Sequence, residues 1–109
     1  MTSSRVNAAD CRTMAEVRRG VDALDREIGA LIAERFRYMD AAARIKPDRE
    51  AVRDEARKAE VIANARRHAA AGDVPLPVIE AIYEALVEGS IAYEFDRFDD
   101  FRTNAAAGS

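Results

Sequence analysis

Between Thr13 and Pro47 nothing interrupts a helical pattern, and its apolar residues fall on one seam. Val17, Val21, Leu24, Ile28 and Leu31 are spaced alternately four and three residues apart, which keeps them on a single helix face. Gly20 and Gly29 weaken the helix only slightly. Thr13-Met14-Ala15-Glu16 reads as a capping box, with Thr13 as N-cap and Glu16 reaching back. A helix of roughly 33 residues is about 50 Å long at 1.5 Å per residue. That exceeds the size of a compact domain of 109 residues, so the helix is expected to span two subunits.

Two more helices follow from the same kind of pattern. Pro47 and Asp48 open a short charged loop, and a second helix is predicted from Arg49 or Ala51 to Ala71, with Gly72 as its C′ residue. Asp73 to Pro77 forms a turn, and a third helix starts near Pro77, which suits the first helical position. It carries Val78, Ile79, Ile82, Tyr83, Leu86, Val87, Ile91, Tyr93, Phe95 and Phe98. The expected class is therefore all-α, with three helices in a chain that associates with another copy. Residues 1–12 read as a loose leader, 13–102 as the helical domain and 103–109 as a small, polar, frayed tail.

Composition narrows the function. One domain with 49% hydrophobic residues, much of it alanine, 34% charged residues and three prolines favours helices that pair through a seam. A net charge of −3 argues against general nucleic-acid binding, which needs a basic surface. Cys11 is the single cysteine, so no intrachain disulfide or thiol metal cluster is expected. The sequence holds no apolar run near 18 residues and no hydrophobic signal segment, so the expectation is a cytoplasmic protein without membrane contact. His68 has no ligand-spaced companion, and no metal or cofactor is expected.

The chemistry lies where the seam is broken. Continued, it reaches Arg35, Tyr38, Ala42 and Ile45, so one guanidinium is aimed where a hydrophobic side chain belongs. A buried arginine needs compensation, either from a carboxylate of the protein or from an anionic ligand. Lys46 lies eleven residues on, about 20° round the same face and roughly 16 Å along the axis, so the two cations can converge on a small dianion. Arg18 is seventeen residues before Arg35 and roughly 25 Å away, and reaches that site only from another, antiparallel protomer. The alternative for Arg18 and Lys46 is a solvated face.

The last helix has polar breaks of its own. Ser90 and Glu94, four apart, stand where its apolar stripe should continue. Either Glu94 forms a structural bridge with Arg35, or both residues line a small polar pocket. The charges of the second helix, Arg53, Asp54, Glu55, Arg57, Lys58 and Glu60, read as a solvated surface with local pairs.

The segments EVRRGVDALDREIGALIAERFRYMDAAARIK (Glu16–Lys46), AVRDEARKAEVI (Ala51–Ile62) and LPVIEAIYEALVEGSIAYE (Leu76–Glu94) together resemble the all-helical, AroQ-class chorismate mutases and their relatives the isochorismate pyruvate lyases. The resemblance implies an intertwined homodimer with two equivalent sites. It implies that Arg18 comes from the partner subunit, that Arg35 and Lys46 come from the main one, and that together they hold the two substrate carboxylates. Arg57 matches a further site arginine, Asp54 an aspartate associated with the substrate ring, and Ser90 and Glu94 positions that line the pocket.

The implied reaction is the Claisen rearrangement of chorismate to prephenate, which needs no protein nucleophile and no cofactor. It requires the substrate held in its reactive shape and negative charge stabilised on the breaking ether oxygen. Lys46, Glu94 and Arg35 are the catalytic candidates. Glu94 can donate a hydrogen bond only when protonated, so activity is expected to favour acidic pH. Two departures weigh on the choice of reaction. Lys58 stands where mutases commonly carry a glutamate for the substrate hydroxyl, and the Asp10-Cys11 leader with the Val17-Arg18 pair looks more like the lyase branch, whereas Ser90 looks mutase-like. Chorismate mutase is the leading reading and isochorismate pyruvate lyase, forming salicylate and pyruvate, the alternative. A third is a non-catalytic helical dimer, disfavoured by charge inside the seam.

Overall fold

The computed structural model describes residues 5–107 of the chain. Among these residues there are three α-helices and no strand: α1 (Met14–Ile45), α2 (Glu55–Ala71) and α3 (Leu76–Ala107), with short 3-10 turns at Ala8–Asp10 and Arg49–Ala51. The all-α expectation holds. Residues up to Arg37 and residues from Tyr38 onward form two compact units, and the division falls within α1.

In the first unit, α1 starts as its sequence dictates. Thr13 Oγ1 accepts from the Glu16 amide at 3.1 Å, and Glu16 Oε1 accepts from the amides of Thr13 at 3.1 Å and Arg12 at 2.7 Å. The Arg12 amide is the main reason the Glu16 carboxyl titrates below its ordinary range. Arg5 is tied to Glu27 at 3.0 Å, so part of the expected loose leader lies against α1. Arg5, Cys11, Val17, Gly20, Val21 and Leu24 line a cleft of about 300 Å³. The seam itself is uncovered in the single chain: Val21, Leu24, Ile28 and Leu31 are 49%, 47%, 51% and 64% exposed.

The second unit holds the core. Ala43 from α1, Val52 from the connecting loop and Val87, Ile91 and Phe98 from α3 are buried together, with Val61, Phe95 and Phe101 packed against them. Full burial of such side chains contributes about 1.5–3 kcal/mol each for the larger ones. On α2 the buried residues are Ala65 and Ala69, whose small side chains allow α3 close approach. Ion pairs Arg66–Glu80, Lys58–Glu84 and Lys58–Glu88 fix the two helices antiparallel, because partners on α3 move forward as those on α2 move back.

Three boundaries differ from the sequence expectation. α2 does not begin at Arg49 or Ala51. Asp48 accepts from the Ala51 amide and closes a 3-10 turn, and Asp54 then caps α2 by accepting from the Arg57 amide at 3.0 Å. Two acidic caps six residues apart thus split what reads as one helix. Gly72 ends α2, but with φ −103° it is not left-handed; Asp73, at φ 57°, takes that conformation instead. Aspartate tolerates it better than most residues, which is why composition pointed to the wrong position. Finally, α3 continues to Ala107, through most of the stretch 103–109 expected to fray. Residues 1–4 of the leader and 108–109 of the tail lie outside the described residues.

Candidate active site

Lys46 follows the last residue of α1, and its amide donates to the Ala42 carbonyl at 2.9 Å, prolonging the helical turn. Its ammonium lies 2.6 Å from Glu94 Oε2 and donates to the Val52 carbonyl at 3.3 Å. Glu94 projects from the middle of α3 and is 3% exposed, as is Ser90 one turn before it. The lysine side chain keeps 28% of its surface in solvent, so the pair spans the boundary between the core and water. Among the described residues, none hydrogen-bonds Glu94 Oε2, which is buried. Ser90 Oγ donates back to the Leu86 carbonyl at 2.6 Å, the usual resort of a hydroxyl inside a helix.

Sequence reasoning named both members of this pair but did not pair them. It gave Glu94 a choice between an Arg35 bridge and a polar pocket, and the structure sets Lys46 beside it. The other candidates are placed as follows. Arg18 is exposed on α1 and Arg35 half-buried, both in the first unit. Asp54 is exposed and occupied as the cap of α2. Arg57, also exposed, pairs with Glu60 on its own helix. The second unit therefore sets Lys46 beside Glu94, with Ser90 one turn before Glu94 on α3, and places Asp54 and Arg57 at the start of α2.

The charges around α2 are exposed for the most part and pair locally, as Arg57–Glu60 and Arg53–Glu55 do, but Arg53 and Lys58 also reach across to α3. Arg53 grips Glu88 of α3 through two bonds of 2.7 and 3.1 Å, and Lys58 bonds Glu84 at 2.9 Å and Glu88 at 2.7 Å. Arg53 first, then Lys58, holds the Glu88 carboxyl down to about 2, and Glu88 in turn raises both cations. Lys58 is thereby committed to two carboxylates of the protein itself.

Other side chains around the pair went unrecognised. Asp40 Oδ1 accepts from Tyr93 Oη at 2.7 Å and from Arg97 Nε at 3.1 Å. Arg102 donates to carbonyls at the end of α1. An i, i+4 pair of Phe98 and Arg102 was visible in the sequence, but its partner carbonyls were not. Among the described residues no group of three or more His, Cys, Asp or Glu is placed to hold a metal ion, and no helix is long and apolar enough to cross a membrane.

Three helices with a long first one are the architecture expected of the AroQ class. Residues 17–95 match the chorismate mutase type II family, and the chain belongs to it. The chain is also similar to an isochorismate pyruvate lyase of Pseudomonas aeruginosa, with 26% identity over 83 residues, covering 76% of this chain and 82% of the relative. The protein is thus an enzyme of this class.

Proposed function

We propose that the protein is a chorismate mutase that converts chorismate to prephenate by restraining the substrate and stabilising charge on the breaking ether oxygen. The observation that carries this reading is the Lys46–Glu94 pair: an ammonium and a carboxyl 2.6 Å apart, the carboxyl 3% exposed on α3. The lysine keeps 28% of its side chain in solvent, so its ammonium is open to an anionic substrate as well as to Glu94. In the reaction Lys46 turns its ammonium to the ether oxygen, and Glu94, once protonated, donates alongside it. No nucleophile is required, since bond making and breaking are concerted within the substrate.

The rest of the site is completed by a second copy of the chain. The seam residues Val21, Leu24, Ile28 and Leu31 are all close to half exposed or more, and burying such a row is what drives association. In the dimer Arg18 of one protomer joins Arg35 and Lys46 of the other around the substrate carboxylates, with Asp54, Arg57 and Ser90 contributing to the same site. A cytoplasmic location fits a soluble substrate.

The second reading is isochorismate pyruvate lyase. It is favoured by the relative of that name, and by Lys58 standing where mutases commonly carry a glutamate. The same cationic cradle would hold isochorismate while pyruvate leaves and salicylate forms. The deciding experiment is steady-state consumption of chorismate by purified protein from pH 4 to 9, with prephenate identified as product. Turnover that rises toward acid supports the mutase with a protonated Glu94. Negligible turnover at every pH, with salicylate formed from isochorismate, replaces it by the lyase.

A further inference from the structure

Helix α3 runs well beyond residue 95, where the family match ends, to Ala107. These extra turns face the end of α1. Arg102 donates from Nη1 to the Ala43 carbonyl and from Nη2 to the Lys46 carbonyl, both at 2.6 Å. Its guanidinium is stacked 3.6 Å from the centre of the Phe98 ring, and Phe98 is itself 7% exposed in the core. The carbonyls of a helix's last turn have no partner inside the helix and carry the negative end of its dipole. A guanidinium is suited to them because its fork is rigid and its charge permanent.

One of the two carbonyls belongs to Lys46 itself. With its amide bonded to Ala42 and its carbonyl to Arg102, the Lys46 backbone is held on both sides. The direction in which the side chain leaves is then fixed, and with it the approach of the ammonium to Glu94 and to the Val52 carbonyl. The loop that carries Val52 is tied to the same turns of α3. Arg49 makes two bonds to Asp99, at 3.0 and 3.2 Å, and lies over the Phe95 ring at 4.5 Å.

We propose that Arg102 is a positioning residue for Lys46: by clamping the last turn of α1 from the C-terminal end of α3, it aims the ammonium at the reacting atoms. This rests on the mutase reading for its consequence in turnover, but not for its geometry. Arg102 acts through the backbone of Lys46, to whose carbonyl it donates.

The test compares wild type with R102M, which keeps the stem and stacking bulk, and R102K, which keeps the charge but not the fork. Two quantities are read in each: chorismate turnover, and the NMR shift of the Lys46 Cε–Hε methylene, with E94Q marking its value when the ion pair is broken. The expected result is a methylene shift in R102M toward the E94Q value and a kcat lower by about tenfold, below the roughly hundredfold cost of a 1 Å misplacement. KM should change less, and R102K should recover part of both losses. V61A, which loosens the core without touching Arg102, should leave the methylene shift at the wild-type value. A wild-type shift in R102M overturns the proposal, and so does a moved shift with unchanged turnover. If R102M does not fold, R102K decides by the same two readings. If the wild type acts on neither chorismate nor isochorismate, the mutase reading falls, and the methylene shift alone decides whether Arg102 aims Lys46.

Discussion

Lys46 and Glu94 meet 2.6 Å apart, the lysine ammonium against a carboxyl that is only 3% exposed. A buried ion pair of this kind is a poor source of stability, because desolvation of the two charges offsets most of their attraction. Removing one partner is different, since it leaves an uncompensated charge. K46M is therefore expected to destabilise the fold by about 3–5 kcal/mol in urea denaturation at neutral pH. K46M/E94L, which removes both charges, should be more stable than K46M. A double variant no more stable than K46M would mean that the pair is not what holds Glu94 in place.

Turnover should depend on pH through Glu94. In the proposed reaction Glu94 donates to the ether oxygen, and a carboxyl donates a hydrogen bond only when it carries its proton. Wild-type activity is expected to rise from pH 8 toward pH 5. E94Q, whose amide donates at every pH, should be flat over this range and faster than wild type at pH 8. Parallel profiles for the two proteins would remove Glu94 from the donor role.

The elements that could be read from the sequence are those with local causes. The seam and the Thr13–Glu16 box define α1 within one chain segment, and α1 begins at Met14 as they require. Ser90 and Glu94 stood out because each breaks an apolar pattern, and Lys46 because it lies eleven residues after Arg35 on nearly the same face. What escaped was set by distant partners. Arg53 and Lys58 have carboxylates close by in the sequence, and only the antiparallel register of α2 and α3 brings Glu84 and Glu88 to them. Arg102 went unnoticed because its partners are backbone carbonyls, which leave no mark in a sequence. The break before α2 was missed because Asp48 and Asp54 both act as caps where a run of charges also reads as helix.

The Glu88 cluster sets an acid limit to stability. Held at about 2 by Arg53 and then Lys58, Glu88 titrates below its ordinary value of 4.5 in the folded protein. A depressed folded value means that its contribution is complete above pH 4.5 and is lost as pH falls toward 2. Urea midpoints of wild type and E88Q should differ at pH 7 and converge between pH 4.5 and 2, with wild type the more stable at the upper end. A constant gap across that window would show that the carboxylate charge is not the cause.

Association should depend on the α1 seam. Leu24 and Ile28 are 47% and 51% exposed in one chain, and a carboxylate placed between two such seams is costly to bury. L24E/I28E is expected to sediment as a monomer and to lose activity by a hundredfold or more, on the order expected when a positioning contact is lost. A dimeric, active L24E/I28E would place the interface elsewhere.

Arg18 and Arg35 give the sharpest test of a shared site. Each substitution alone, R18A or R35A, should lower kcat/KM roughly ten- to a hundredfold, the worth of a charge-assisted hydrogen bond. Mixed, unfolded and refolded together, the two variants form heterodimers as about half of the population by random pairing of equivalent protomers. If a site takes Arg35 from one chain and Arg18 from the other, each heterodimer has one intact site and one doubly defective site. Activity should then recover to about a quarter of wild type, a level neither variant reaches alone. If both arginines came from the same chain, every site in the mixture would lack one of them, and refolding together would restore nothing.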